Sequence, residues 1–386
     1  MINIVNKENC SGCHACYNAC PKHCISMIAD NEGFLYPQVN EEGCIKCGIC
    51  VKTCPIITPQ RKAKSEADIK AYGAYNKNEK IRKCSSSGGI FTLIAEWVIN
   101  NGGVVFGAAF NDDFSVAHRA VSNVEGLAQL RGSKYVQSTI GDTYKQAEEL
   151  LKTGKMVLFT GTPCQIGGLY SYLKRDYDNL ITQDIVCHGV PSRKIWEGYR
   201  AYHETKEKSK IQKVSFRNKE RSWKSYQMAI DFQNGKKYRQ ISSGDSYLKS
   251  FVSNLCLRPS CYACAFKDKV RESDITLADF WGIQNVMPEM DDDKGTSLVL
   301  INSEKGQIVF DSIKESIVSR EADINEALKY NSSAIQSVKM PDERNDFIKK
   351  VDEQGFDVAA KCYIKKDSIS LRLKRKIKSI MRKLIK

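Results

Sequence analysis

The sequence predicts a multidomain chain of α+β and α/β class: a small cysteine-rich unit, a larger mixed α/β body and a C-terminal basic amphipathic helix. Three observations carry that expectation. One cysteine pattern occurs twice near the N-terminus, short apolar strands alternate with helical segments from Ala71 onward, and residues 361–386 carry 11 Lys or Arg against one Asp. The boundaries expected are 1–60 for the cysteine-rich unit, 61–70 for a polar linker, 71–155 and 156–340 for two parts of the body, and 341–386 for the tail.

With 386 residues, 42% apolar and 27% charged, the chain has the length for two or three domains and an ordinary globular composition. The opening MINIVNKENC has no apolar stretch of signal-peptide length. The longest apolar candidate, FTLIAEWVINNGGVVFGAAF, is broken by Glu96, Asn100, Asn101, Gly102 and Gly103. It falls short of the roughly 20 apolar residues a spanning helix needs. A cytoplasmic protein is expected. The formal charge of +14 is uneven: residues 361–386 hold +10, leaving +4 for the other 360 residues. A nucleic-acid binder spreads its basic residues over a folded face, so this distribution speaks against one.

Sixteen cysteines in a cytosolic chain are not a disulfide framework, because that compartment keeps thiols reduced. Residues 10–21 read C-SG-C-HA-C-YNA-C-P, and residues 44–55 read C-IK-C-GI-C-VKT-C-P. Both have the bacterial ferredoxin spacing for [4Fe–4S] clusters. Two-residue gaps let one tight loop present three thiolates to three irons of a cubane, and the fourth Cys, followed by Pro, reaches the neighbouring cluster. Cys10, Cys13, Cys16 and Cys54 should hold one cluster, and Cys44, Cys47, Cys50 and Cys20 the other. Gly12, Ala15 and Gly48 keep backbone N–H groups near the sulfurs. Zinc favours two separated Cys pairs, which this pattern is not. Cys24, just outside the motif, reads as packing.

In the body, strands AYGAYN, VVFGAAF, SVAHRAV, MVLFT and LITQDIVC alternate with helices expected at 91–99, 144–152, 166–173 and 193–203. That alternation implies an open, partly parallel sheet. Residues 211–240 look antiparallel, and DITLADF and SLVLIN return to strands before a helix at 307–314. Residues just past the carboxyl ends of parallel strands collect along one edge, where ligands bind. Cys164 follows MVLFT and Cys187 ends LITQDIVC, so both should face one crevice, and the loop C-Y-A-C adds Cys261 and Cys264. Four thiolates suit a [4Fe–4S] cluster or zinc; free thiols are a further alternative, with Cys164 activated at a helix N-terminus. A Cys187–His188 pair is disfavoured, because strand neighbours point to opposite faces. Electron donors in the same chain favour the cluster, since zinc has no redox role. Cys84, Cys256 and Cys362 carry no expectation.

Six ordered motifs then acquire a common meaning: KCSSSGGIFTLIAEWVINNGGVVFGAAF, LRGSKYVQSTIG, VLFTGTPCQIGGLYSYL, DIVCHGVPS, RPSCYACAF and DITLADFWGI. Between positions 70 and 320 the chain resembles the β-subunit family of coenzyme F-420 (deazaflavin) hydrogenases and related dehydrogenases, to which the 7-hydroxymethyl chlorophyll a reductases belong. The resemblance implies FAD, and a third [4Fe–4S] cluster held by Cys164, Cys187, Cys261 and Cys264. It also implies flavin contacts at Ser87, Gly88, Gly89, Lys134, Tyr135, Thr160 and Gly161. Read alone, the loop from Ser85 to Gly89 suits a phosphate at a helix start, but a plain Ser/Gly helix cap is the simpler reading. No GxGxxG supports a nicotinamide site. Arg217, Lys219 and Trp223 read as a solvated basic loop, or else as contacts for an anionic organic substrate. Where the family has Gly-Asp-Phe-Trp-Gly, this chain has Ala278 before Asp279, and Asp279 is given no role. The hydrogenase subunits lack the N-terminal unit, so ferredoxin or another low-potential donor is the expected partner.

In the tail, Leu373, Ile377, Ile380, Met381 and Leu384 recur at helical spacing among Lys and Arg. Such a helix suits an anionic membrane surface, placing the protein on the membrane's inner face, or docks on the protein's own body or on a partner. A homo-oligomer is compatible with the sequence. The expected function is an iron–sulfur flavoprotein oxidoreductase, in which electrons pass from the ferredoxin-type clusters through the third cluster to FAD and an organic substrate. No catalytic side chain is assigned. The alternatives are a non-catalytic electron-transfer subunit of a larger redox complex, and a cluster-bearing scaffold or sensor in a membrane-linked biosynthetic pathway.

Overall fold

The computed structural model describes residues 1–59 and 65–364. The expected basic helix lies outside them, as do positions 60–64 at the expected linker. In the N-terminal unit each cysteine triplet winds into one short helix, Ala15–Ala19 or Ile49–Lys52, entered through a left-handed residue: His14 at φ 63° and Gly48 at φ 74°. That step turns the loop back on itself and returns the third cysteine toward the first two. Between the helices, β1 (Ile25–Ala29) and β2 (Leu35–Val39) pair antiparallel, with Ile25 opposite Val39.

The body is a mixed sheet of eight strands, in the order β13 (Ile317–Ala322), β3 (Lys70–Asn76), β12 (Ser297–Ile301), β11 (Ile275–Asp279), β7 (Leu180–Ile185), β6 (Val157–Thr160), β4 (Val104–Phe110) and β5 (Val116–Val121). Neighbours from β4 through β6 and β7 to β11 are parallel, and the flanking pairs are antiparallel. Strands from both expected parts of the body share this sheet, so the two parts are one unit. Val104, Val105 and Phe106 are all buried, as befits a strand covered on both faces. The helix Ile90–Asn100 presents Ile90, Ile94 and Val98 to one face at helical spacing. The helices Thr143–Lys152 and Pro163–Leu173 cover the other. A second sheet, β8 (Ile211–Asn218), β9 (Gln227–Phe232) and β10 (Lys237–Ile241), is antiparallel as expected. It shares its core with Phe347, Ile348, Val351 and Phe356 of the helices Arg344–Gln354 and Phe356–Tyr363. Residues to 364, which the sequence reading gave to the tail, thus belong to the body: their apolar positions are buried there. Among the described residues no helix is long and apolar enough to cross a membrane.

The N-terminal unit is sewn into this body. Cys13 and Ala15 sit in the same apolar cluster as Ile166 and Leu169 of the helix Pro163–Leu173. At Gly168 of that helix a Cβ would lie 2.9 Å from Cys13 Cβ and 3.0 Å from Cys13 Sγ. Only glycine allows the approach. The β1–β2 turn docks as well: Arg344 pairs with Glu32 at 2.5 Å, Ser192 Oγ donates to the Glu32 carbonyl at 2.5 Å, and Lys194 Nζ donates to the Asn31 carbonyl at 2.7 Å.

Two outcomes follow. Gly168→Val should overpack the seam and cost about 1–3 kcal/mol, read as a lower denaturant midpoint; an unchanged midpoint would contradict the contact. His118 and His203 are buried, and burial pushes both imidazoles down from about 6.5 to about 4. They are neutral in the fold, while the unfolded chain takes up their protons as pH drops below about 6.5. Stability should be full above that pH and fall steadily toward pH 4 in thermal melts. His203→Phe should flatten the acid limb, and an unaltered slope would show that His203 is already charged.

Candidate functional site

Thiols of the N-terminal unit fall into two groups by their surroundings. Cys10, Cys13, Cys16 and Cys54 are all buried. Burial pushes the Cys13 thiol up to about 12, with Cys10 and Cys54 adding to the rise, and Cys16 feels Cys13, Cys10 and Cys54 in the same way. These four share one locality although Cys54 belongs to the second motif, as the crossed ligand pattern requires. The other four, Cys20, Cys44, Cys47 and Cys50, line a separate cavity together with Pro21, Ile25 and Val39. Cys24 lines it too, with its sulfur 3.4 Å from that of Cys20. The Ile2 N–H reaches Cys50 Sγ at 3.2 Å.

In the body, Cys164 is the second residue of the helix Pro163–Leu173, entered from β6 through a Thr162–Gln165 capping box. Cys187 lies two residues past β7, Cys261 ends the short turn Pro259–Cys261, and Cys264 follows it. All four line one cavity of about 190 Å³ with Ala263, Ala265 and Phe266. Arg258, Lys267 and Arg271 add cationic wall from the body, and the N-terminal unit contributes Glu8, Asn9, Ser11 and Ile56. Burial pushes Cys164, Cys187 and Cys261 up, and each of these thiols feels Cys264. Val190 N–H donates to Cys261 Sγ at 3.4 Å. Among the described residues no three His, Cys, Asp or Glu side chains are gathered as for one metal ion. Cys256 is buried in the core of the second sheet.

Cys187, His188, Gly189 and Val190 also line a larger cavity of about 480 Å³. This cavity opens where β6, β7 and β11 end, the carboxyl edge where open α/β sheets bind ligands. Ser87, Gly89, Lys134, Tyr135, Thr160 and Gly161 line it. Gly88 does not: its N–H donates to Ser297 Oγ at 2.9 Å, and a Cβ there would meet the Ala74 carbonyl at 2.4 Å. Its smallness serves strand packing instead of ligand approach. Lys134 Nζ is held by the carbonyls of Gln129, Leu130 and Arg131 at 2.9–3.1 Å, capping a short helix. Thr160 Oγ1 donates to the Phe106 carbonyl at 2.9 Å.

Three readings from the sequence need correction. Arg217, Lys219 and Trp223 are buried, not solvated. Arg217 lines the large cavity, paired with Asp279 at 2.8 Å and stacked 3.8 Å from the Tyr226 ring. Lys219 Nζ instead bonds the carbonyls of Arg82, Ser87 and Lys294, fastening the Ser/Gly loop. Trp223 stacks on Trp281 at 5.1 Å and donates to Asp279, which thereby acquires a role as the shared acceptor. Second, Cys187 lies beyond its strand, so it and His188 line the same cavities. Third, sequence reasoning missed His118, whose Nε2 donates to the Thr160 carbonyl at 2.8 Å while Nδ1 accepts from Ser138 Oγ at 2.6 Å. A lone His in an apolar strand gave no signal for that.

Two stretches of the chain match known families. Residues 154–327 match the C terminus of the coenzyme F420 hydrogenase/dehydrogenase beta subunit, and residues 9–56 match the 4Fe-4S dicluster domain. No curated protein matches the chain. Among solved structures, a chain of the F420-reducing [NiFe] hydrogenase complex from Methanosarcina barkeri, studied as a xenon derivative, is similar at 18% identity with a TM-score of 0.45, over 68% of this chain and 89% of that one. The chain thus carries a dicluster domain for two [4Fe–4S] clusters and, over residues 154–327, a region similar to the C terminus of the coenzyme F420 hydrogenase/dehydrogenase beta subunit, features of an electron-transferring redox protein.

Proposed function

We propose that the chain is an iron–sulfur flavoprotein oxidoreductase with three thiolate sites in a row, the last opening onto a flavin cavity. The observation that carries this is the sharing of walls. The four-cysteine cavity of the body is lined by the inner dicluster loop on one side and shares Cys187 to Val190 with the large cavity on the other. Cys13 touches the helix Pro163–Leu173 at Gly168, one turn from Cys164, a separation of about 6 Å along the axis.

The donors fit the groups proposed. Cys164, Cys187, Cys261 and Cys264 are four thiols in a mostly apolar enclosure, without the tight gathering a single ion draws from its ligands, about 2.3 Å for zinc to sulfur. They would hold a third [4Fe–4S] cluster. The large cavity lies within the usual size range of small-molecule sites and would hold FAD. There Ser87, Gly89, Lys134, Tyr135, Thr160 and Gly161 contribute wall, and the start of the helix Ile90–Asn100 contributes free N–H groups. Bound there, a flavin supplies the exchange between one-electron and two-electron chemistry. Arg217, cationic and buried on the cavity wall, suits an anionic part of cofactor or substrate. Ferredoxin, or a donor like it, would deliver electrons at the outer site, where Cys47 is exposed.

The test is composition. Protein purified without oxygen should hold about twelve irons (three cubanes) and one FAD per chain. Cys261→Ser should remove about four irons and leave the N-terminal eight. Eight irons in the unaltered protein, or zinc at the body site, would sink the third cluster. Absence of flavin would leave a pure electron-transfer or sensor chain.

A further inference from the structure

Among the described residues five arginines are deeply buried: Arg82, Arg217, Arg258, Arg271 and Arg344. Four have a carboxylate partner: Arg82 with Asp292, Arg217 with Asp279, Arg271 with Asp184 and Arg344 with Glu32. Arg258, with 0% exposure, has none among the described residues. A guanidinium does not shed its proton, and a buried cation requires compensating negative charge.

Its contacts are neutral oxygens and the sulfur of one cysteine. Arg258 Nε donates to the Cys10 carbonyl at 2.7 Å, Nη1 to Gln137 Oε1 at 3.0 Å, and Nη2 to the Leu35 carbonyl at 3.0 Å. Nη2 also lies 3.5 Å from Cys10 Sγ. Tyr36 covers the guanidinium at 4.3 Å. Gly12, at φ +66°, leaves room for it: a Cβ there would meet Nη1 at 2.9 Å. Arg258 also lines the four-cysteine cavity of the body, and its carbonyl accepts from Cys261 N–H at 2.9 Å. One residue thus belongs to both thiolate sites.

We propose that Arg258 is the shared counter-ion of the inner dicluster site and the body's four-thiolate site, raising the affinity of both for an electron. The proposal rests on reading the body site as a cluster. The step it governs is a single electron leaving the reduced inner cluster and arriving at the oxidised body cluster. No bond is made or broken, no proton moves, and the added negative charge stays beside the same guanidinium. Arg258 acts through field and position, so it is a positioning residue.

The experiment is an EPR-monitored redox titration of the full-length, oxygen-free protein beside Arg258→Met and Arg258→Lys, with iron counted in each. At a fixed poise, Arg258→Met should lower the reduced-to-oxidised ratio of both clusters by about tenfold, a shift of about 59 mV for one electron. Arg258→Lys, which keeps the charge and loses the fork, should stay within about threefold of the native protein. Unmoved ratios in Arg258→Met with iron retained would overturn the proposal. Should Arg258→Met fail to assemble, Arg258→Lys decides: ratios near native support it, and a displacement of tenfold or more overturns it. Eight irons in the native protein would remove the body-cluster reading and this proposal together, whereas twelve irons with unmoved ratios would remove the proposal alone.

Discussion

Every later feature of the site depends on the close approach of the first cysteine loop to the helix that follows β6. Gly168 lets the Cys13 side chain lie against that helix, and Gly12 lets the Arg258 guanidinium lie beneath the loop. Both contacts exist because a side chain is missing. They make the N-terminal unit a wall of the body's thiolate cavity, not a tethered carrier. Ferredoxin-like units are small and have little apolar core of their own. Here Cys13 and Ala15 are buried in the body's apolar cluster, so the surface that stabilises the unit also sets its cysteines against the body.

The same arrangement explains the chemistry of the thiols. Burial pushes the Cys13, Cys164 and Cys261 thiols up, so they hold their protons more tightly than exposed thiols do. Metal or cluster binding must displace those protons, and the gain in doing so is what a low-dielectric, mostly apolar enclosure offers to four thiolates around a cationic core. Around the large cavity the polar groups behave differently. His118, Lys134 and Lys219 spend their donors on backbone carbonyls, holding the wall in shape, whereas Arg217 is balanced by Asp279 yet still lines the cavity.

How much of this was legible depended on whether chemistry or packing fixed the residue. The eight N-terminal cysteines were readable because cubane geometry dictates their spacing. The parallel strands and their carboxyl edge were readable because apolar runs and helical periods alternate from Ala71 onward, and with them came the placing of Cys164 and Cys187. What escaped was long-range. Gly88 looks like a phosphate-loop glycine in sequence, yet its neighbour is a strand 209 residues away. Arg217 and Lys219 carry the polarity of a solvated loop, and only the tertiary partners Asp279 and the Ser87 carbonyl show why they are inside. Arg258 sits in RPSCYAC beside recognisable ligands, but its partner Cys10 is 248 residues away. The apolar residues of 344–363 were hidden by the charge around them.

A fixed seam between the dicluster unit and the body is the central claim, and pulsed dipolar EPR on the fully reduced protein measures it most directly. The expected result is strong spin coupling between the inner dicluster centre and a third centre in the body, with one narrow distance. Uncoupled spectra, or a broad spread of distances, would contradict it.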